Sequence, residues 1–303
     1  MIFKIENSVN EQVILNGIKD VEVYLKREDA IHPIISGNKY RKLKYNIAFA
    51  KAHNYTKLLT FGGAFSNHII ATAAAGKVSG LQTIGVIRGE ELAKKSIHNE
   101  TLEYAKRCGM QFKFVSREQF RDKTSTDFLN GLKAEFGTFY TVPEGGTNDL
   151  AVKGCEEILT EADKCFDYVC ASVGTGGTLS GLINSSEPNQ KILGFSALKG
   201  SFLQEDISKF AKRNNWELIT DYHFGGYAKI KPELITFINQ FKAQNNIALD
   251  PIYTGKMLYG ISELIKKGVF AKGTKILAIH TGGLQGIAGM NAILKQKELP
   301  LIQ

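Results

Sequence analysis

Short apolar runs alternate along the chain with polar turns and with longer Ala- or Leu-rich stretches. Three of the runs lead directly into glycine-rich turns, and each turn is followed by a stretch of helical composition. Strands joined by crossover helices in a parallel sheet produce this alternation, so the pattern predicts an α/β fold. These strand and helix pairs are predicted at 57–61 and 66–77, 168–173 and 179–183, and 275–280 and 286–294. Further strands are predicted at 83–87, 112–115 and 191–196.

The three glycine-rich turns follow the carboxyl ends of their strands, where open α/β sheets bind ligands. We therefore expect three separated segments to meet at one crevice. In the first turn, Ser66, Asn67 and His68 lie at a predicted helix start, with Ser66 or Asn67 as the cap. The free N–H groups there could bind a substrate carboxylate, or the polar residues could serve only for capping. His68 could equally be a buried structural histidine.

Length and composition indicate a packed globular protein. The chain has 303 residues, enough for two domains that share a cleft. Hydrophobic residues make up 43% and charged residues 22%, which excludes a disordered chain. The beginning of the chain lacks the apolar run of a signal peptide, and no apolar stretch approaches the ~18 residues of a membrane span. These features predict a cytoplasmic location.

Charge and cysteine usage exclude several classes of function. The net charge of +8 comes from scattered lysines without a nucleic-acid-binding motif, which favours a solvated surface. The four cysteines include no C-x-x-C pair, and neither H-E-x-x-H nor G-x-S-x-G occurs. Metal-dependent and serine-hydrolase chemistry are therefore disfavoured. The remaining polar loops favour an organic cofactor.

The second glycine-rich turn, 174–178, has features that favour a phosphate group. It supplies successive backbone N–H groups, two hydroxyls and a helix start, although a tight strand-to-helix turn is the simpler alternative. A dinucleotide fingerprint would need glycine at position 179, which is Leu179, and an acid about 20 residues later, where none occurs. The nucleoside-triphosphate motif G-x-x-x-x-G-K-[ST] is also absent. A small phosphorylated cofactor fits better.

Candidate reactive side chains are less distinctive when each is considered alone. The Lys39 amine could form an imine if burial or nearby cations lowered its pKa. However, it is one of 38 basic residues, and most of these must lie on the surface. Tyr227 and Tyr253 lie in turn-forming contexts that could present a phenol to a cleft.

Considered together, five segments resemble the 1-aminocyclopropane-1-carboxylate (ACC) deaminase and D-cysteine desulfhydrase family. The match runs in order along nearly the whole chain. The segments are Lys26-Arg27-Glu28-Asp29, Ser36-Gly37-Asn38-Lys39-Tyr40-Arg41-Lys42-Leu43, Ser66-Asn67-His68, Val173-Gly174-Thr175-Gly176-Gly177-Thr178 and His280-Thr281-Gly282-Gly283.

The resemblance implies a two-domain enzyme of fold type II that uses pyridoxal 5′-phosphate (PLP). Its open, mostly parallel sheets would be flanked by helices, with the cofactor in the cleft between the domains. Residues 1–44 plus 148–303 would form the larger PLP-binding domain, and residues 45–147 the smaller α/β domain. Similar enzymes are commonly homodimers, which is our expectation here.

By the same resemblance, Lys39 would hold PLP as a Schiff base, and the residues of the 174–178 loop would bind the phosphate. Asn67 would contact the ring hydroxyl, and Thr281 would face the pyridine nitrogen. Ser66, Tyr227 and Tyr253 would take part in catalysis beside the substrate. The complete expected cofactor site is Lys39, Asn67, Gly174, Thr175, Gly176, Gly177, Thr178 and Thr281, and the expected substrate contacts are Ser66, Asn67, His68 and Thr254.

The two branches of the family differ at two positions of this sequence. ACC deaminases have Glu after the second tyrosine and Leu before the final Gly-Gly, whereas this chain has Thr254 and Thr281. A carboxylate near the pyridine nitrogen keeps that nitrogen protonated better than a hydroxyl does, and opening a cyclopropane needs this help more than expelling a thiolate. The sequence therefore favours D-cysteine desulfhydrase, which releases pyruvate, sulfide and ammonia.

Two alternatives stay open at this point: ACC deaminase on the same scaffold, and a non-catalytic binder of a small phosphorylated metabolite. D-Serine and β-chloro-D-alanine are further possible substrates. Phe65 stands where relatives usually have Gln, and Ile69 with Ile70 replaces an expected Arg nearby. These departures affect the predicted identity of the substrate more than the prediction of PLP as cofactor.

Overall fold

The computed structural model describes residues 3–35, 37–93, 99–200 and 202–303. Ser36, the first residue of the lysine-containing segment, lies outside the described residues, as do 94–98. The strands are β1 (Asn10–Val13), β2 (Glu22–Lys26), β3 (Lys57–Gly63), β4 (Gln82–Arg88), β5 (Gln111–Val115), β6 (Tyr140–Val142), β7 (Tyr168–Val173), β8 (Lys191–Ser196), β9 (Trp216–Ile219) and β10 (Lys275–Ile279).

The α-helices cover the segments between the strands, together with short 3-10 turns. Their bounds are α1 (Asn38–Ala52), α2 (Asn67–Ser79), α3 (Glu100–Arg107), α4 (Arg117–Arg121), α5 (Thr126–Phe136), α6 (Asp149–Cys155), α7 (Gly177–Ser185), α8 (Phe202–Ser208), α9 (Pro232–Asn245), α10 (Thr254–Lys266) and α11 (Gly286–Gln296). Within the described ranges, no helix is long and apolar enough to cross a membrane.

The strands form two sheets. The larger has six strands in the order β1-β2-β10-β7-β8-β9, and only its edge strand β1 runs antiparallel to its neighbour. The smaller has four parallel strands in the order β5-β4-β3-β6. The predicted α/β class with mostly parallel sheets is confirmed. The domain boundaries at 44/45 and 147/148 remain a prediction.

The three predicted strand–glycine–helix units are β3 with α2, β7 with α7, and β10 with α11. The other predicted strands correspond to β4, β5 and β8. The central strands β7 and β10 consist almost entirely of buried residues. Parallel sheets are covered by helices on both faces, which is why these strands read as continuous apolar runs rather than as alternating ones.

Buried ion pairs fix the segment before α1 and the helix itself. Arg41 binds the fully buried Glu28 through two hydrogen bonds, from Nε at 2.9 Å and from a terminal nitrogen at 2.8 Å. Lys26 pairs with Asp163 at 2.7 Å, and both side chains are buried. Lys26 and Glu28, both from the segment Lys26-Arg27-Glu28-Asp29, therefore have structural roles here. The Arg41–Glu28 pair joins the first turn of α1 to the turn that follows β2, and the Lys26–Asp163 pair joins the end of β2 to the turn before β7.

Candidate active site

A cavity lies where the carboxyl ends of three strands meet. Residues that follow β7 and β10 in the larger sheet line one part of it, and Asn67 and Gly145, from the smaller-sheet segments, line another. The three glycine-rich turns therefore converge as predicted. Of the predicted site residues, those that line the cavity are Lys39, Asn67, Gly174, Thr175, Gly176, Thr178, Tyr253 and Thr281.

Lys39 is the second residue of α1, and a close backbone contact sets the direction of that helix. Gly37, the N-cap of α1, has a φ of +53°, and a Cβ there would lie 2.3 Å from the backbone oxygen of Thr281. Glycine is therefore required on both conformational and steric grounds. This contact brings the start of α1 against the turn after β10, so Lys39 and Thr281 line the same cavity.

The Lys39 amine is suited to imine formation. It makes no hydrogen bond or ion pair with any described residue, and burial followed by the nearby charge of Lys42 lowers its pKa to about 7. An ordinary lysine is almost entirely protonated at neutral pH and hence not nucleophilic. About half of the Lys39 amine is neutral near pH 7, which meets the condition that the sequence left open.

Lys42, which the sequence analysis did not single out, lies one turn further along α1 and also lines the cavity. Its amine donates to the backbone oxygen of Gly145 at 2.9 Å, to Thr147 Oγ1 at 3.0 Å and to Thr175 Oγ1 at 3.3 Å. Burial lowers its pKa to about 8. The ammonium therefore lies beside the glycine-rich turn, where it adds positive charge to a potential phosphate site.

The turn from Gly174 to Thr178 leads into the N-terminus of α7. Gly176 is the N-cap, and no side chain among the described residues caps this end. The first N–H groups of α7 are thus available to an anion, as helix N-termini commonly are. With the Lys42 ammonium next to Thr175, this set of donors fits a phosphate, and the Lys39 amine in the same cavity fits an aldehyde. The residues present therefore fit PLP.

Two side chains fix the position of this cofactor site further. Asn38 Nδ2 donates to Thr178 Oγ1 at 2.9 Å, which ties the start of α1 to the start of α7. Gly283 has a φ of +88°, and a Cβ there would lie 2.5 Å from Asn67 Nδ2. The Asn67 amide therefore lies close against Gly283 in the turn after β10, and it would have to move if residue 283 carried a Cβ.

Ser66 and His68 lie beside this cavity without lining it. Ser66 is the N-cap of α2 and accepts from the N–H groups of His68 and Ile69 at 3.2 and 3.4 Å. The Thr60 hydroxyl donates to the Val142 oxygen at 2.8 Å, so His68 Nε2 is the donor to Thr60 Oγ1 at 2.8 Å. His68 Nδ1 is buried and has no partner within the described ranges.

Burial, and then the charges of Lys39 and Lys42, hold the pKa of His68 well below its usual value. His68 is therefore neutral at physiological pH and lies behind the two lysines. The structure thus gives its ring a buried position, which is the simpler of the two possibilities that the sequence left open.

Tyr253 lines the cavity, and Tyr227 lies next to it with ring centroids 6.3 Å apart and planes at 63°. Burial, and then the proximity of Tyr227, raise the pKa of Tyr253 well above its usual value, so its phenol stays protonated. Thr254 has a different environment. Its fully buried hydroxyl donates to Asp250 Oδ2 at 2.6 Å, and it is not among the described residues that line the cavity.

Asp250 organises the backbone before α10. One carboxylate oxygen accepts from the N–H groups of Ile252 and Tyr253 at 2.9 and 2.8 Å, and the other accepts from the Thr254 N–H at 2.8 Å. This buried carboxylate therefore determines where Tyr253 sits. It was not identified from the sequence, and the Asp-Pro-x-x-Thr spacing of a capping turn was the available signal.

The residues that depart from the family pattern lie on α2 or just before it. Phe65 is half exposed, and its ring lies 3.1 Å from the position of a Cβ on Gly289 in α11. Ile69 and Ile70 are buried in the core. An arginine at either of the two isoleucine positions would have to be buried in this apolar environment.

The comparison with protein families agrees with this geometry. The model of the family described as pyridoxal-phosphate dependent enzymes matches residues 13–282. The chain belongs to this family. It is therefore a PLP-dependent enzyme of the lyase and deaminase type, and the predicted cofactor and fold type are confirmed.

Curated relatives cover most of the chain. A putative ACC deaminase of Pyrococcus horikoshii is 34% identical over 284 residues, which are 88% of this chain and 85% of the relative. A bifunctional, mitochondrial D-cysteine desulfhydrase/ACC deaminase of Arabidopsis thaliana is 30% identical over 295 residues, 88% and 73% of the two chains. An ACC deaminase of Rhizobium rhizogenes is 26% identical over 299 residues, 89% of each chain.

Solved structures agree with this assignment. The crystal structure of an ACC deaminase homologue matches 91% of this chain and 88% of its own, with 30% identity and a TM-score of 0.80. O-ureido-L-serine synthase, at 15% identity and a TM-score of 0.68, shares the fold.

Proposed function

We propose that this PLP-dependent enzyme acts on D-cysteine and releases pyruvate, sulfide and ammonia. The observation that carries the proposal is the position of the Lys39 amine, which lines the cavity and makes no hydrogen bond to the described residues. Desolvation, followed by the charge of Lys42, lowers its pKa to about 7. The amine shares one cavity with the uncapped start of α7, where a phosphate would bind. The bound cofactor supplies an electron sink for the Cα carbanion.

The residues around the cavity then have the following proposed roles. Lys42, Thr175 and the first N–H groups of α7 hold the phosphate, and Asn67 orients the cofactor ring. The Asn67 N–H at the start of α2 and the hydroxyl hydrogen of Ser66, whose oxygen caps the helix, bind the substrate carboxylate at the margin of the cavity. These contacts hold the Cα–H bond within reach of the Lys39 amine, which accepts the Cα proton.

Elimination also requires that the leaving group be accommodated. When the Cα proton is removed, the Cβ–S bond breaks and the sulfur leaves with the electron pair. The protonated phenol of Tyr253, with Tyr227 beside it, is placed to hydrogen-bond to that sulfur. The resulting enamine is hydrolysed to pyruvate and ammonia after release.

ACC deaminase activity is the second candidate, and it is supported by the names of the P. horikoshii, A. thaliana and R. rhizogenes relatives. Of these three names, that of the A. thaliana relative alone includes D-cysteine desulfhydrase, so our preference for D-cysteine depends on chemistry. Thr281 lines the cavity, and a hydroxyl beside the pyridine nitrogen favours expulsion of a thiolate over opening of a cyclopropane ring. Thr254 contributes nothing to this preference because its hydroxyl is bound to Asp250.

The test is a screen of D-cysteine, L-cysteine, D-serine and ACC for release of 2-oxo acid, with sulfide measured in parallel and the absorption spectrum recorded. Pyruvate and sulfide from D-cysteine in equal amounts are expected. Release of 2-oxobutanoate from ACC, without sulfide from D-cysteine, would establish the second candidate instead. A homodimer remains a prediction, which sedimentation analysis can check.

A further inference from the structure

Lys256 is buried in α10, one turn after Tyr253, and has no role in the site described so far. Only 2% of the residue is exposed. Its ammonium donates to two backbone oxygens, those of His223 and Gly226, each at 2.8 Å. Among the described residues no carboxylate lies within ion-pair distance of it. A buried ammonium bound only to carbonyls carries a desolvation cost, which other contacts of the fold must offset.

That segment, residues 223–228, carries Tyr227 and has an unusual backbone. Four of its residues have positive φ values: Phe224 at 56°, Gly225 at 97°, Gly226 at 113° and Ala228 at 54°. For Phe224 and Ala228 this conformation is strained, because their Cβ atoms crowd the backbone there. Strained backbone persists only where surrounding contacts impose it.

The contacts that impose this conformation come largely from one face of α10. Lys256 holds the carbonyls of residues 223 and 226, and the ring of Phe224 packs edge-to-face on Tyr259 with centroids 5.0 Å apart. Lys256 and Tyr259 are three residues apart and thus lie on the same side of the helix. Asp250 fixes Tyr253 at the start of the same helix. Tyr253, which lines the cavity, is therefore positioned directly by the start of α10, and the neighbouring Tyr227 is positioned through Lys256.

We propose that Lys256 is a positioning residue that holds the 223–228 segment so that Tyr227 stays against Tyr253 beside the substrate. This inference deepens the proposed function and depends on it only for the activity measurement. Lys256 itself is not among the described residues that line the cavity. Its removal should loosen the 223–228 segment and leave the cavity-lining residues of the cofactor site in place.

The test compares the PLP-loaded variants Lys256→Met and Lys266→Met. Lys266 is the matched control, since it lies on the same helix but is half exposed, and its one ion pair with the described residues is that with Glu263 at 2.9 Å. In Lys256→Met we expect amide hydrogen exchange in 223–228 to become at least about ten-fold faster while exchange in β10 is unchanged. The affinity for PLP should change by less than about two-fold. Lys266→Met should match the wild type.

Activity then distinguishes positioning from a general structural role. We expect Lys256→Met to lower kcat/KM for D-cysteine by about ten-fold or more, and Tyr227→Phe to do the same. If Lys256 acts through Tyr227, adding Lys256→Met to Tyr227→Phe should cost less than about two-fold further. Losses that multiply, or exchange in 223–228 that stays at the wild-type rate, would overturn the proposal.

One further variant and one wild-type measurement separate the role of Lys256 from protein folding and from the proposed function. Lys256→Gln keeps a donor with a shorter reach, so an intermediate exchange rate is expected even if the methionine variant does not fold; a wild-type rate in this variant would count against the proposal. Wild-type protein that binds PLP but turns over none of the four amino acids would refute the proposed function alone. The exchange measurement would still decide the role of Lys256.

Discussion

The reactivity of Lys39 depends on its environment, so it should change when a neighbouring charge is removed. Burial is the larger cause of its low pKa, and the Lys42 ammonium is the second. With a pKa of about 7 instead of 10.5, the neutral fraction at pH 7 rises from about 0.03% to about one half. Lys42→Met removes the like charge, so the pKa of Lys39 should rise while burial keeps it below 10.5.

The assay is the rate at which the apo protein forms an imine with pyridoxal, followed by absorbance across pH. Pyridoxal lacks the phosphate, so the loss of a phosphate contact in Lys42→Met does not affect the comparison. Below the midpoint, the rate should fall about ten-fold for each pH unit by which the pKa of Lys39 rises. Lys44→Met is the control, because Lys44 lies on the same helix but pairs with Glu157 near the surface at 2.6 Å. A wild-type midpoint near pH 10, or a lower midpoint in Lys42→Met, would refute this account.

Two substitutions test the structural supports of the site. Thr254→Val removes the hydroxyl that donates to Asp250 at 2.6 Å, so the free energy of unfolding should fall by about 1–3 kcal/mol in urea titrations, whereas no change would show that this bond is dispensable. Gly37→Ala places a Cβ 2.3 Å from the Thr281 oxygen at a φ of +53°, so we expect clear destabilisation and weaker PLP binding by fluorescence titration. Wild-type affinity in Gly37→Ala would contradict the proposed link between α1 and the turn after β10.

The sequence predicted the strand–glycine–helix units well because their signals are local. An apolar run, a glycine-rich turn and a helical stretch follow one another within about 20 residues, as at β7 and α7. The cap of α2 was also predictable, since Ser66 needs only the N–H groups two and three residues later. Convergence of three turns followed from the general rule for parallel sheets.

The remaining parts of the site depend on partners far away in the chain. From the sequence alone, Lys42 cannot be distinguished from a surface lysine, because the backbone oxygen of Gly145 that accepts its hydrogen bond lies over 100 residues later. Lys256 likewise finds its acceptors in a segment about 30 residues earlier. A helix prediction for 38–52 would have placed Lys42 on the same face as Lys39, three residues on. No helix was predicted there, because the stretch is polar and lacks a clear apolar periodicity.

Thr254 illustrates the limit of transferring a role by position. Its place directly after Tyr253 implied a substrate contact, whereas its hydroxyl is buried against Asp250. A residue at a helix start can face either the cleft or its own capping group. That choice is made by the backbone of the preceding turn and not by residue type.

The central claim is that Lys39 binds the cofactor, and borohydride reduction of the wild-type holoenzyme tests it most directly. After proteolysis, mass spectrometry should find the reduced pyridoxyl group on Lys39, and the Lys39→Ala variant should lack both the label and the imine absorbance. Lys42, whose pKa is also lowered and which lines the same cavity, is the informative competitor. A wild-type label on Lys42, or on any lysine other than Lys39, would contradict the account.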